Sequence, residues 1–313
     1  MKYNEDIDRF YPQLVPHIRK TPLIRSEYFS KKLGCNLYLK LENIQHTHSF
    51  KVRGAVSKML SLSEEVRKRG VIAASGGNHG LGVCYAAQLY HTTAKVYLPK
   101  STPRHKIEKI KTYGGEAILV DGSLDEASKV AQQAAQTEER TYIHPFNDDD
   151  VIRGQATLGL EILRDLPRAD AIVCSIGGGG LIGGIASYVK SLRPETKMYG
   201  VETLGTDSMY QSIHAGKIIT LLAITSIADS LGAKAVAEKT FQMTQKNVDE
   251  LFTVTDAEAL EALQEILKEE KQLVEPAASC SLAALTTGKI KNIAGKNIVV
   301  LLCGGNFQVE VKI

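Results

Sequence analysis

Four consecutive glycines, Gly177 to Gly180, separate the apolar run Ala171-Ile172-Val173-Cys174 from Leu181-Ile182-Gly183-Gly184-Ile185-Ala186-Ser187-Tyr188. A buried strand that enters a glycine loop and leaves as a helix is a building unit of a layered α/β fold. Residues without Cβ let backbone N–H groups approach an anion at the helix N-terminus, so this unit can cradle a phosphate. Glycine loops also serve plain tight turns, and the loop alone does not choose between the two.

A second stretch, Ser49-Phe50-Lys51-Val52-Arg53-Gly54-Ala55, carries a lysine where few are found. The apolar positions Val52, Ala55, Val56, Met59 and Leu60 predict an amphipathic helix with Lys51 in its first turn. The positive end of the helix dipole and partial burial both disfavour an ammonium there, and a neutral amine is able to form a Schiff base. A surface lysine at a helix start is the plainer alternative.

The rest of the chain alternates. Strands are expected at Asn36–Glu42, Val71–Ala74, Ala94–Leu98, Glu116–Val120, Lys197–Glu202 and Asn297–Leu302. Helices are expected at about 4–18, 78–90, 104–112, 124–138, from Gly154 onward, at 256–270 and at 277–288. Strands alternating with helices imply parallel sheets built from βαβ crossovers, whose ligands collect at the carboxyl ends of the strands.

Five motifs occur in order: Ser49-Phe50-Lys51, Ser75-Gly76-Gly77-Asn78-His79-Gly80, the four-glycine loop, Glu275-Pro276, and Cys303-Gly304-Gly305-Asn306. Together they resemble the pyridoxal-phosphate enzymes of fold type II, in particular the threonine/serine dehydratase and serine racemase family, from about Thr21 to Asn306. The resemblance implies a tryptophan synthase β-like α/β fold of two lobes, each a largely parallel sheet covered by helices. Residues 1–63 and 141–313 would form the large cofactor-binding domain and 64–140 the small mobile one. No C-terminal regulatory domain is expected.

The resemblance also assigns roles. Pyridoxal 5'-phosphate would be held by Lys51 as a Schiff base, by Phe50 against the ring, by Gly177, Gly178, Gly179, Gly180 and Leu181 at the phosphate, by Asn78 at the ring hydroxyl, and by Glu275 and Cys303. Cys303 occupies the position facing the ring nitrogen, although a buried thiol closing a core strand is the usual fate of such a residue. Ser75, Gly76, Asn78 and His79 would bind the substrate carboxylate, Lys51 serving as the catalytic base. Ser75 and Asn78 are also ordinary helix-cap residues, and His79 reads as structural rather than catalytic.

The chain departs from the family in places. His48 replaces a usual glycine, Arg153 and Ala156 stand within a motif often written Ala-Gly-Gln-Gly-Thr, and Gly76 replaces the serine of serine racemases. Glu202 matches the first ligand of a racemase cation site, but Ser208 stands where an aspartate is needed, so no metal is expected.

The activity implied is an ammonia-lyase (dehydratase) for a β-hydroxy amino acid, L-threonine or L-serine. The alternatives are a serine racemase, a dehydratase of phenylserine or 3-hydroxyaspartate, and a noncatalytic cofactor-holding protein. A net charge of +3 with dispersed Lys and Arg argues against nucleic acid or membrane as partners. The expected partners are a small amino-acid substrate and further copies of the chain, as a dimer or tetramer. Five cysteines without CxxC spacing and an N-terminus without a signal-like apolar core point to the cytoplasm.

Overall fold

A computed structural model describes residues 3–308. Among these, the strands are β1 (Leu23–Arg25), β2 (Asn36–Leu41), β3 (Val71–Ala74), β4 (Ala94–Pro99), β5 (Glu116–Val120), β6 (Thr141–Tyr142), β7 (Ala171–Ser175), β8 (Lys197–Thr203), β9 (Glu250–Val254) and β10 (Asn297–Leu302). The large sheet runs β1-β2-β10-β7-β8-β9 and the small one β5-β4-β3-β6. Every pairing is parallel except β1 with β2. The central strand β7 is buried along its whole length and β10 along all but its first residue, which is why both read as unbroken apolar runs.

This strand order brings distant motifs together. Because β10 lies between β2 and β7, their carboxyl ends stand side by side. The turn leaving β2 reaches Lys51, the exit of β7 enters the glycine loop, and β10 ends at Cys303. Main-chain contacts fasten the three: Phe50 N–H donates to the Cys303 carbonyl at 3.1 Å, Gly305 N–H donates to the His48 carbonyl at 2.9 Å, and Ser49 bridges Gly304. His48 takes a left-handed φ of 55° to make this turn, which explains the family's preference for glycine there.

The Lys51 helix (Lys51–Ser61) is wedged between two others. A Cβ on Gly82, in the helix Asn78–Leu89, would lie 3.1 Å from the Lys51 carbonyl group. One on Gly154, in the helix Asp149–Asp165, would lie 2.4 Å from the Arg53 carbonyl oxygen. The two glycines let the flanking helices touch the main chain on either side of the lysine. The buried face of the Lys51 helix, Val52, Ala55, Val56 and Met59, shares its core with Val71, Ala73, Val96 and Leu98 of the small sheet.

Below the lysine lies a fully buried set of charges. Arg53 bonds Glu42 through Nε and Nη2, both at 2.8 Å, and Glu161 through Nη1 at 2.8 Å and Nη2 at 2.9 Å. Lys40 reaches Glu161 at 2.6 Å, and Tyr11 and Thr21 donate their hydroxyls to the carboxylates. Two cations therefore balance two anions, each with hydrogen-bonded partners, as a buried ion cluster requires.

Several elements differ from the sequence expectation. The helix expected from Gly154 starts at Asp149, capped by Asp148, whose carboxylate accepts from the N–H groups of Asp150 and Val151. The helix expected over 256–270 is α-helical only through Glu265, and its last turn widens to π form over Ile266–Glu270. Strands β6 and β9 and the helices Glu27–Leu33, Ser208–Ala215 and Glu238–Asn247 were not anticipated.

Candidate active site

Phe50, Lys51, Asn78, the glycine loop with Leu181, Glu275 and Cys303 line one pocket at the carboxyl ends of β7 and β10. A roomier surface concavity of about 560 Å³ along β9 shares no residue with it and contains none of the motifs. Lys51 is partly buried, and its Nζ donates to the Pro145 carbonyl at 3.1 Å while lying 5.1 Å from the centre of the Phe50 ring. Desolvation pulls its pKa down to about 8, against an opposing pull from Cys303 and Glu275.

The glycine loop fits an anion. Gly179 has a left-handed φ of 85° and caps the helix Gly180–Leu192, whose first amides have no partner within the helix. A Cβ on Gly178 would lie 2.1 Å from the Phe146 ring, and one on Gly177 would meet Leu231 at 3.1 Å, so no larger residue fits without displacement.

Cys303 is buried at the end of β10. Its sulfur accepts from the Ser175 hydroxyl at 3.2 Å, and burial, then the charge of Glu275, pushes the thiol up to about 12. It is neutral near pH 7. Asn78 donates its amide N–H to Glu275 at 2.7 Å and accepts from the Asn306 amide at 2.7 Å, leaving one N–H of its Nδ2 for another acceptor. Burial and the nearby charge of Asp229 raise Glu275 to about 7, against hydrogen bonds from Asn78 and Ser230.

The Ser75–Asn78 turn opens the next helix. Ser75 Oγ accepts from Gly77 N–H at 3.1 Å, and the helix begins at Asn78 with no side-chain cap, so its first amides are open to an anion. A Cβ on Gly76 would make only ordinary contact with Thr102, at 3.7 Å. The His79 ring lies with Nε2 2.8 Å from the Ile143 carbonyl, and burial drops its pKa to about 3.

Glu202 is engaged by main chain. Its two oxygens accept from Met209 N–H at 3.1 Å and Tyr210 N–H at 2.6 Å, so it caps the helix Ser208–Ala215. The lining residues that sequence reasoning missed are Pro145, Phe146, Ser175, Ile176, Ile182, Ser230, Leu231 and Ala277. Of these only Pro145-Phe146, inside a His-Pro turn signal, left a local trace.

An amine of lowered pKa, an anion cradle and a neutral thiol in one pocket fit a ring that bears an aldehyde, a phosphate and a nitrogen. Lys51, Gly177–Gly180 and Cys303 are the residues that would hold those three parts.

The chain is similar to ammonia-lyases and to racemases. It is 38% identical over 307 residues to an L-threonine ammonia-lyase of Thermotoga maritima, covering 98% of this chain and 76% of that one. Among solved structures, the processed form of threonine deaminase isoform 2 from Solanum lycopersicum superposes with a TM-score of 0.90 at 34% identity, covering 97% of this chain and 90% of that one. Maize serine racemase superposes with a TM-score of 0.93 at 32% identity, covering 97% and 94%. The family model described as pyridoxal-phosphate dependent enzyme matches residues 14–304. With the two-sheet architecture of fold type II and that match over nearly its whole length, the chain belongs to the pyridoxal-phosphate dependent enzyme family.

Proposed function

We propose that the protein is an ammonia-lyase that converts a β-hydroxy amino acid, L-threonine or L-serine, to a 2-oxo acid and ammonia, with pyridoxal 5'-phosphate as cofactor. The observation that carries the reading is Lys51, an amine of lowered pKa in one pocket with the glycine cradle and a neutral Cys303. The similarity to an L-threonine ammonia-lyase at 38% identity supports the same class of substrate.

When bound, pyridoxal phosphate supplies an electron sink for the pair left as the α C–H bond breaks. Lys51 would hold the cofactor through its amine, and as a free amine it would take the substrate's α proton on its nitrogen. The open amides of the Ser75–Asn78 turn bind the substrate carboxylate, with the helix N-terminus adding its dipole. Cys303 brings no negative charge to the ring nitrogen, because burial keeps it a thiol. Gly76 offers no hydroxyl that could return a proton to the opposite face, which favours loss of the β-hydroxyl over racemisation.

The block 64–140 serves as a small lobe that closes over this site. Its polar contacts across the cleft include those of the helix Arg104–Thr112, where Lys106 pairs with Asp229 and Lys109 bonds Asn306, and those of Asn78 with Glu275 and Asn306. No helix among the described residues is long and apolar enough to cross a membrane. All five cysteines are free and buried, in keeping with a reducing cytoplasm. A homo-oligomer, dimer or tetramer, completes the reading.

A panel of L-threonine, L-serine, phenylserine and 3-hydroxyaspartate, assayed for ammonia and 2-oxo acid, tests the substrate class. L-Threonine or L-serine is expected to lead, and Lys51→Ala to abolish turnover. A Lys51→Ala protein with full activity would falsify the reading.

A further inference from the structure

We propose that His144 is a positioning residue for Lys51, acting through the turn His144-Pro145-Phe146-Asn147. The proposal rests on the role assigned above to Lys51. His144 Nδ1 accepts two main-chain hydrogen bonds, from Phe146 N–H at 3.2 Å and from Asn147 N–H at 2.8 Å. The imidazole thus does for this turn what an aspartate or asparagine oxygen does in an Asx-turn. The Phe146 N–H shares a trans peptide with the Pro145 carbonyl, so fixing the N–H toward the ring turns the carbonyl the opposite way, where it accepts from the Lys51 Nζ–H at 3.1 Å.

The same turn seats Phe146. Its ring stands edge-on to the imidazole, with centres 4.6 Å apart, and fills the space that a Cβ on Gly178 would need, 2.1 Å away. One side chain therefore fixes both the acceptor that aims the free lysine amine and the wall behind the phosphate cradle. Double acceptance requires an unprotonated Nδ1. Burial, reinforced by the Lys51 charge and opposed by Asp148, lowers His144 to about 4, which keeps that nitrogen free. Without the ring acceptor, two amides of the turn lose their partner and the peptide that carries the Pro145 carbonyl loses its direction.

In the reaction the α C–H bond breaks and an N–H bond forms on Lys51, and its remaining hydrogens stay available to Pro145. A misdirected amine slows this step while substrate binding is retained. The holoenzyme is assayed with L-threonine and L-serine, each with hydrogen or deuterium at Cα, as parent, His144→Leu and His144→Asn. His144→Leu is expected to lower kcat about 10- to 100-fold and to raise the deuterium effect on kcat, with KM within about threefold. It should also release pyridoxal phosphate faster on dialysis, a readout independent of turnover.

His144→Asn keeps an acceptor that reaches the amides two and three residues ahead, and should restore both properties. Unchanged kcat, isotope effect and cofactor release in His144→Leu, or an Asn variant no better than the Leu one, would overturn the proposal. If His144→Leu does not fold, His144→Gln takes its place, since its longer side chain overshoots the turn; equal behaviour of Gln and Asn then refutes it. Lys51→Ala in the same assay separates the two ideas. Turnover surviving there removes the reading of Lys51, whereas its loss alongside a parent-like His144→Leu removes only this inference.

Discussion

Stripping the protein of pyridoxal phosphate and timing its recapture from about pH 6 to about pH 10 probes the environment of Lys51 directly. Only the neutral amine attacks an aldehyde, so the rate follows the deprotonated fraction. With a pKa of about 8, about one amine in eleven is neutral at pH 7, whereas the ordinary lysine value of 10.5 leaves about three in ten thousand. Burial therefore makes the residue about 300 times more available at pH 7.

The sign follows from the depression. Recapture should rise about tenfold per pH unit below pH 8 and level off above it, long before an unperturbed lysine would. Absorbance of the bound cofactor gives the rate. Glu275 opposes the depression, so Glu275→Gln should move the plateau to lower pH. A rate still climbing steeply above pH 10 would refute desolvation as the cause, and a plateau that moves upward in Glu275→Gln would refute the opposing pull of Glu275.

Three further substitutions test the frame around the lysine. Gly178→Ala forces a methyl into the Phe146 ring and should weaken pyridoxal phosphate binding, read by equilibrium dialysis, with little change in melting temperature of the cofactor-free protein. Arg53→Met leaves Glu42 and Glu161 with Lys40 as their single cation, and should cost about 3–5 kcal/mol in denaturant unfolding at an unchanged slope. Gly76→Ser adds a hydroxyl at a site with room for a Cβ, and should raise D-serine formed from L-serine relative to pyruvate; a ratio that does not move would remove Gly76 as the determinant of reaction choice.

What could be read in advance divides along a physical line. Strands bounded by polar or glycine punctuation were legible to the residue: Val71–Ala74, Glu116–Val120 and Asn297–Leu302. Strand β9 was not, because an edge strand with half-exposed residues and an acidic start carries a weaker pattern than a central one. The start at Asp149 was available in principle, as an aspartate cap followed by an acidic first turn, but three consecutive aspartates read as loop.

At the site, Lys51, the glycine loop and Cys303 were visible because each sits on a local motif. The partners that set their chemistry were not. Asn78 was expected at a ring hydroxyl, and its amide is committed in part to Glu275, 197 positions along the chain. The link from Ser175 to Cys303 spans 128 positions and depends on β7 and β10 lying side by side. Such pairings follow from sheet order, which no stretch of sequence states on its own.

The glycines that bracket the Lys51 helix bear on how a protein of this kind can diversify. Gly82 and Gly154 bring two neighbouring backbones against the lysine's own helix, so a substitution at either position must displace main chain rather than a side chain. Drift in that region is confined, and inherited variants with a new substrate preference are expected to carry their changes elsewhere. The Ser75–His79 turn, where Gly76 and Gly77 leave open space, and the irregular stretch between Gly216 and Glu238 that supplies Ser230 and Leu231 to the pocket, are the places free to vary.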